Sequence, residues 1–217
     1  YLDTREQMCR LENGDKELPA LREGGIEVRI ARSASELFGA FRLGYEVYYE
    51  EYGHYDYDDL SEFEHELKIL FDDYDLLNET VQVVAKYDEH IVGRARIIDG
   101  SLAIGKYIDM KKYTSKPIKE ASRLMIAKEF RNSQSILMMM GFLYGVTKKY
   151  GEVFCTSFDE GKELYAQIGG EHIGGFRNES FSNSPMSHAF RLDLDNCQDA
   201  SSRVDGSKFF VKKALKF

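Results

Sequence analysis

Apolar and polar positions along the chain form blocks whose period changes from two to nearly four and back. Ile26–Ile30 (I-E-V-R-I) alternates, which predicts a first strand. Leu37, Phe41, Tyr45, Tyr48 and Tyr52 then recur at helical spacing, behind a capping box at Ser33 and Glu36 and ahead of a stop at Gly53. Residues 61–70 read as a further helical stretch. Residues 81–87 and 90–98 are two strands joined by an Asp88-Glu89 turn, a hairpin. In residues 117–131, Leu124-Met125-Ile126 is the buried centre of a strand with turn and charge signals on both sides. Residues 133–150 are apolar almost all round, which predicts a buried helix ended by Gly151. Glu152–Phe158 predicts a strand, 160–168 a short helix ended by Gly169-Gly170, and 187–194 a last strand. Residues 1–25 are polar and read as an arm with a short helix near Thr4. Residues 196–217 read as an appended amphipathic helix carrying Phe209, Phe210, Val211, Ala214 and Leu215. The domain proper is expected at 26–195.

At 217 residues the chain is expected to form one domain with an arm, long enough to bury a full core. No run of about 18 apolar residues is present, so no membrane span is expected. The chain opens on no signal-peptide pattern. Cys9, Cys155 and Cys197 are few, odd in number and far apart, which fits neither a disulfide framework nor a metal site; a reducing cytoplasm is expected. The net charge of −8 is unevenly spread. Between Lys106 and Arg131 eight basic residues face three acidic ones, and the last fifteen residues are also basic. Such a patch is either a docking face for an acidic partner or a solvated surface. Nucleic-acid binding is not expected, because aromatic and basic residues do not interleave and the overall charge is acidic.

Candidate chemistry gathers in three places. In the strand around Leu124, alternation puts Glu120 and Ser122 on the face of Leu124 and Ile126, with Arg123 pointing away. A carboxylate aimed at a core-side cleft is either half of a structural ion pair or a working group. Arg94 and Arg96 share one face of their strand and need carboxylates to meet them; Asp73, Asp75 and Glu120 are the candidates. The acidic stretch 71–75 is either a solvated loop or a cradle for a substrate amine, and it lacks the ligand order of a calcium loop. Tyr165 is either a phenol that donates a proton or an aromatic packed on the sheet. The methionines of 136–143 are core filler on composition alone. A Cys155 nucleophile served by His172 or His188 is a further alternative, weakened by the core-strand position of Cys155.

The Gly93…Arg96 strand, the Leu124–Arg131 stretch leading into a helix, and Leu164-Tyr165 ahead of Gly169 resemble the GNAT acyltransferase superfamily. That resemblance implies an α/β (α+β) fold with a mixed, mostly antiparallel central sheet flanked by helices. Ordinary members cradle the coenzyme A pyrophosphate on an R/Q-x-x-G-x-G/A turn; here Gln134 and Ile136 stand in place of the glycines. A branch without that turn looks more like this chain: the acyl-homoserine-lactone synthases and the related N-acyl amino acid synthases. The similarity rests on Arg42, Val47 and Tyr48, on the Asp73/Asp75 segment, on Gly93-x-x-Arg96 and on Glu120-x-Ser122-Arg123. The chain has no tryptophan, where homoserine-lactone synthases carry several, which turns the expectation from S-adenosylmethionine to an amino acid acceptor.

What the resemblance implies is transfer of a long-chain acyl group from acyl carrier protein to the α-amine of an amino acid such as tyrosine. The acyl group rides on the carrier's phosphopantetheine, with no cofactor or metal of the chain's own. Glu120 is the implied base, Ser122 its orienting partner and Tyr165 the acid for the leaving thiolate. Arg94, Arg96, Asp73, Asp75, Arg123, Leu124, Met125 and Ile126 are the implied substrate contacts. Ile136, Met139, Met140 and Leu143 would line the acyl tunnel, and Lys111, Lys112, Lys116, Lys128 and Arg131 would dock the carrier. The alternatives are an acyl-homoserine-lactone synthase using S-adenosylmethionine and a non-catalytic lipid-binding module.

Overall fold

The computed structural model describes residues 20–100, 102–114, 119–131, 133–178 and 183–195. The expected helices near Thr4 and in 196–217, and Lys116, lie outside these residues. Eight strands form one sheet in the order β1-β2-β3-β4-β5-β6-β8-β7. They are β1 (Leu21–Glu23), β2 (Ile26–Ile30), β3 (Thr80–Tyr87), β4 (His90–Asp99), β5 (Lys119–Ile126), β6 (Glu152–Phe158), β7 (Glu171–Phe176) and β8 (Ser187–Asp193). The helices are α1 (Ala34–Tyr45), α2 (Glu62–Leu67), α3 (Ser133–Thr147) and α4 (Asp159–Gln167). Every neighbouring strand pair is antiparallel except β5 and β6. The architecture is therefore the expected α/β arrangement, a mixed, mostly antiparallel sheet flanked by helices.

Two strands were not legible in the pattern. β1 is three residues long, half-buried, and lies in the stretch expected to be an arm. It pairs with β2 because Gly24 and Gly25 both take positive φ (57° and 80°), the geometry of a two-residue hairpin turn. The expected boundary at residue 25 thus falls inside a hairpin. β7 carries Gly174 and Gly175 and little apolar content, so alternation does not reveal it; pairing with β8 makes it a strand.

Helix α1 begins as expected, with Ser33 Oγ accepting the Glu36 N–H at 3.2 Å. The reciprocal half of the box is redirected: the Glu36 carboxylate accepts from the Arg32 N–H at 2.8 Å and holds the Arg29 guanidinium at 2.6 and 2.9 Å. The helix does not run straight to Gly53. From Glu46 to Glu51 it widens into a π-helix, with the Tyr52 N–H reaching the Val47 carbonyl at 3.0 Å. Leu37, Phe41, Tyr45 and Tyr48 of the predicted stripe are buried, whereas Tyr52, beyond the wide turn, is exposed.

The main core joins Val28, Val83, Ala85, Ala95 and Ile97 of the sheet to Met138, Met139, Phe142 and Leu143 of α3 and to Leu43 and Val47. A second cluster sits under α4, where Tyr165 meets Ala121, Val153, Cys155, Phe190 and Leu192. A third gathers the β4–β5 connection (Leu102, Ile104, Met110) on Phe154 and Ala189. Cys155 is thus a core residue, and the two histidines considered for it bond elsewhere. His172 and His188 lie 3.1 Å apart, and His188 meets Asp159 at 2.7 Å. Among the described residues, no helix is long and apolar enough to cross a membrane.

The Arg29 guanidinium holds the Glu36 carboxyl at about 2, below the ordinary 4.5. A depressed pKa stabilises the fold above the ordinary value and stops doing so as pH falls through the lowered one. Glu36→Gln should therefore cost roughly 1–2 kcal/mol near neutral pH, after solvent screening. The gap between wild type and variant in urea melts should close between pH 4.5 and about 2. A gap independent of pH would mean that Glu36 acts through shape alone.

Candidate active site

The β5–β6 ladder contains two residue pairs, Glu120↔Phe154 and Ala121↔Cys155. On its other edge β5 stays paired with β4 as far as Ile126. Beyond Ala121 the two parallel strands part, and a wedge opens in the sheet between the end of β5 and Thr156–Phe158 of β6. Backbone groups of β5 along that edge have no partner in the β6 ladder beyond Ala121. Aromatic and charged side chains crowd the opening. Phe158 stands edge-on to Tyr48 (5.5 Å) and His54 (4.6 Å), and the Arg123 guanidinium lies 5.4 Å from the centre of the Tyr48 ring.

Beside the wedge, five charged side chains form one buried network. Arg94 and Arg96 share a face, as their spacing requires. Arg94 donates to Asp75 at 2.5 Å, to Gln82 at 3.2 Å and to the Leu70 carbonyl at 3.2 Å, and it is fully buried. Gly44 makes room for it, since a Cβ there would stand 2.9 Å from Arg94 Nη1. Arg96 donates to Asp72 at 2.5 Å and to Ser122 Oγ at 3.2 Å, and lies 3.2 Å from Asp75. Arg123 takes the other oxygen of Asp72 at 2.8 Å.

Alternation placed Arg123 on the opposite face, and the structure corrects this. Arg94 pairs with Met125 but Arg96 with Ser122, so Ala95 faces two residues of β5, a bulge. Arg123 takes up the extra length at φ 57°, a left-handed conformation rare outside glycine. The twist brings its guanidinium round to Asp72. It also moves Met125, rather than Leu124 or Ile126, opposite Arg94 and onto the face of Ser122 and Glu120. Bulges that re-aim one side chain in this way concentrate near active sites.

The acidic partner is Asp72, not Asp73, which is exposed. Asp72 and Asp75 cap one 3-10 turn reciprocally at 3.0 Å, so both carboxylates point inward while Asp73 points out. The D-x-x-D spacing of a capping box carried that signal in the sequence. Burial works to raise the Asp75 carboxyl, but Arg94, Arg96 and Arg123 outweigh it and hold the group far below its ordinary value. Asp72 is lowered in the same way, burial being opposed first by Arg123. Arg123 is raised well above its ordinary value: burial opposes the charge, and Tyr55, Asp72 and Tyr48 more than offset it. Three guanidiniums thus meet two carboxylates, an excess of one buried positive charge.

Glu120 sits at the closed end of the wedge, 1 % exposed, and accepts the Ile104 N–H at 2.9 Å. It does not join the arginine network. Ser122, two residues on and also buried, lies between Glu120 and the opening. Tyr165 stacks on Phe190 at 5.3 Å, beside Ala121 and Cys155. Those residues lie on the face opposite Glu120, because side chains alternate across β5. Burial, with Cys155 and Tyr48 as neighbours, pushes the Tyr165 phenol well above its ordinary value, so it stays protonated.

Of the expected tunnel residues, Met139 and Leu143 are buried in the main core, Ile136 packs against it and Met140 is half-buried. Of the expected docking residues, Lys111, Lys112 and Lys128 are exposed. Arg131 is not open: both its terminal nitrogens bind Glu51 at 2.5 Å. Among the described residues no group of three or more His, Cys, Asp or Glu could hold a metal ion.

A family model described as an acetyltransferase (GNAT) domain matches residues 43–141. No curated protein sequence matches the chain. Among solved structures, the chain is similar to FeeM, an N-acyl amino acid synthase from uncultured soil microbes. Identity is 14%, the TM-score is 0.61, and the match covers 85% of this chain and 97% of that one. It is also similar to the AHL synthase LasI (17% identity, TM-score 0.60, 81% of this chain and 93% of that one). A third similarity is to BjaI, a CoA-dependent acyl-homoserine lactone synthase solved with MTA (16%, 0.55, 85% and 93%). The chain therefore has the fold that these synthases share with GNAT acetyltransferases.

The charge network makes a stability prediction. Asp75→Asn would leave Arg94 buried without its carboxylate and should cost about 3–5 kcal/mol in urea denaturation. Asp72→Asn should cost less, because the Asp72 side chain is 29% exposed and water can replace it. Equal losses for the two variants would contradict this division of labour.

Proposed function

We propose that the chain is an N-acyltransferase that moves a long-chain fatty acyl group from acyl carrier protein to the α-amine of an amino acid such as tyrosine. The observation that carries the reading is the wedge between β5 and β6 opening beside a buried network with one guanidinium in excess. A thioester arm in the wedge would run along the edge of β5 that has no β6 ladder partner. A small zwitterionic acceptor would offer its carboxylate to the excess charge; Arg123, at the rim, and Arg96 have the fork geometry for it. Arg94 serves as the support that holds Asp75, since its own donors are engaged.

The reaction needs a neutral amine. An α-amine with a pKa near 8 is mostly protonated at neutral pH, so a base contributes about two to four powers of ten. Glu120, directly or through a water, takes that proton, and Ser122 orients acceptor or water. The amine nitrogen bonds to the thioester carbon and then gives its second proton to water, an N–H at the β5 edge steadies the oxyanion, and the oxyanion collapses as the C–S bond breaks. Tyr165 returns a proton to the thiolate. Its place on the opposite face suits a division in which the acceptor comes from the Glu120 side and the donor arm from the other. The apolar face of α3 at Ile136, Met139, Met140 and Leu143 receives the acyl chain. Exposed Lys111 and Lys112 offer a basic landing site to the acidic carrier, whereas Lys128 lies among the carboxylates near Arg131. The chain then works in the cytoplasm with no cofactor of its own.

Purified protein with acyl carrier protein charged with a C14–C16 chain and a mixture of amino acids should yield N-acyl amino acids by mass spectrometry. Acyl-homoserine lactone formed from S-adenosylmethionine instead would favour the lactone-synthase reading; no product with any acceptor would favour a lipid-binding module. Glu120→Gln should lower kcat by about two to four powers of ten at pH 7, with partial recovery as pH rises and the amine loses its proton unaided. A folded Gln variant with near-normal kcat removes Glu120 from the chemistry. Lys111→Glu with Lys112→Glu should raise KM for the carrier-bound donor, and salt should do the same to wild type. An unchanged KM in both would move docking to another face.

A further inference from the structure

The entrance of α3 carries an arrangement of charge that the acyl-transfer chemistry does not use. Arg131 stands two residues before the helix. Its Nε donates to the Ile126 carbonyl at 2.8 Å, and its two terminal nitrogens grip the two oxygens of Glu51 at 2.5 Å each. The face of the guanidinium lies 5.3 Å from the centre of the Tyr52 ring. A guanidinium fork at the start of a helix is what a phosphate would seek, since the same two N–H groups and the helix dipole both favour an anion. Here a carboxylate of the chain itself fills that fork. Glu51 is the last residue of the π-helix at Glu46–Glu51.

Two further carboxylates close in. Glu46 and Glu129 both act electrostatically on this corner, Glu129 on Arg131 and on Glu46, with Lys128 the other cation nearby. Burial raises the Glu46 carboxyl, and Glu129, Glu50 and Glu51 add to the rise, so these groups already repel one another. Glu50 is in turn held by Lys68 at 3.0 Å. Glu46, Glu51 and Glu129 against Arg131 and Lys128 leave one net negative charge, a negative collar at the entrance of α3.

We infer that Glu51, with Glu46 and Glu129, is a donor-selectivity device: it occupies Arg131 and repels the phosphates of coenzyme A while tolerating a pantetheine arm presented by a carrier. The inference rests on the acyl-transfer reading above, but its physical core, repulsion of a polyanion at one corner, is measurable without turnover. Free coenzyme A is the probe, its binding followed by calorimetry for wild type, Glu51→Gln and Glu129→Gln. Glu129→Gln keeps the Arg131–Glu51 pair and so separates charge from folding. Wild type should bind weakly, and more tightly as salt is added, because salt screens repulsion. At low salt Glu51→Gln should bind about tenfold more tightly, and Glu129→Gln a few-fold, with the melting temperature of Glu129→Gln unchanged. In turnover with the same acyl group on both donors, Glu51→Gln should lower KM for acyl-coenzyme A and leave its kcat alone. Low-micromolar binding by wild type that weakens with salt overturns the proposal. So does a Glu51→Gln variant that loses thermal stability with no gain in coenzyme A affinity, which would make the pair a staple only. Absence of acyl transfer from either donor would count against the acyltransferase reading, and the coenzyme A binding series would still decide the collar.

Discussion

The contact on which the rest of the site depends is the one between Asp75 and Arg94. Neither group has access to water. An ion pair so placed holds only if the remaining donors and acceptors are met, and they are: Gln82 bridges to both members, and the Leu70 carbonyl takes a third guanidinium N–H. Meeting them ties β3, β4 and the end of the long 46–72 excursion into one unit. Arg96 and Arg123 are then positioned by what is left over, namely the second carboxylate of the same capped turn. The site is built outwards from a saturated pair to an unsaturated rim.

Buried charge of this kind stabilises poorly for its cost in desolvation, since an apolar packing of the same volume would serve the fold as well. Its presence at the parting of two strands fits a role in ligand handling rather than in stability. The same logic distinguishes the three arginines. Arg94 is enclosed, Arg96 retains only a sliver of exposure, and Arg123 reaches the opening with its side chain 14% exposed. A backbone conformation rare for arginine is tolerated at Arg123 because the bulge, Tyr48 and Asp72 together fix it.

Periodicity revealed the elements that bury a stripe or alternate cleanly: β2, β3, β4, β6, β8, the start of α1 and the length of α3. It failed where tertiary pairing alone creates structure, as at β1 and the glycine-rich β7. It also failed where one residue breaks the count. The bulge at Arg123 and the wide turn at Glu46–Glu51 each add a residue to a regular element, so every side chain beyond is displaced from its expected face. That is why alternation puts Arg123 on the wrong side and why Tyr52 leaves the stripe. Asp72 was hidden by its neighbours: among the three acids Asp72, Asp73 and Asp75, only the geometry of a cap tells inward from outward. Glu51 had no sequence signal at all, since its partner lies eighty positions away.

The two-pair ladder between β5 and β6 has a consequence for the molecule as a mechanical object. Five strands on one side and three on the other are each knitted by antiparallel ladders of three to eight pairs, whereas the seam joining them has two. Local opening follows the density of such bonds, so the seam is a crease where one half can open against the other at the smallest loss of ladder bonds, held mainly by the side-chain clusters that cross it. Amide protons along β3 and β4 would then exchange only through global unfolding, while those at the crease exchange through small openings of one half against the other. A thioester arm entering the crease would act as a pin between the halves, and occupancy would be felt as slower exchange in both, far from any atom the ligand touches.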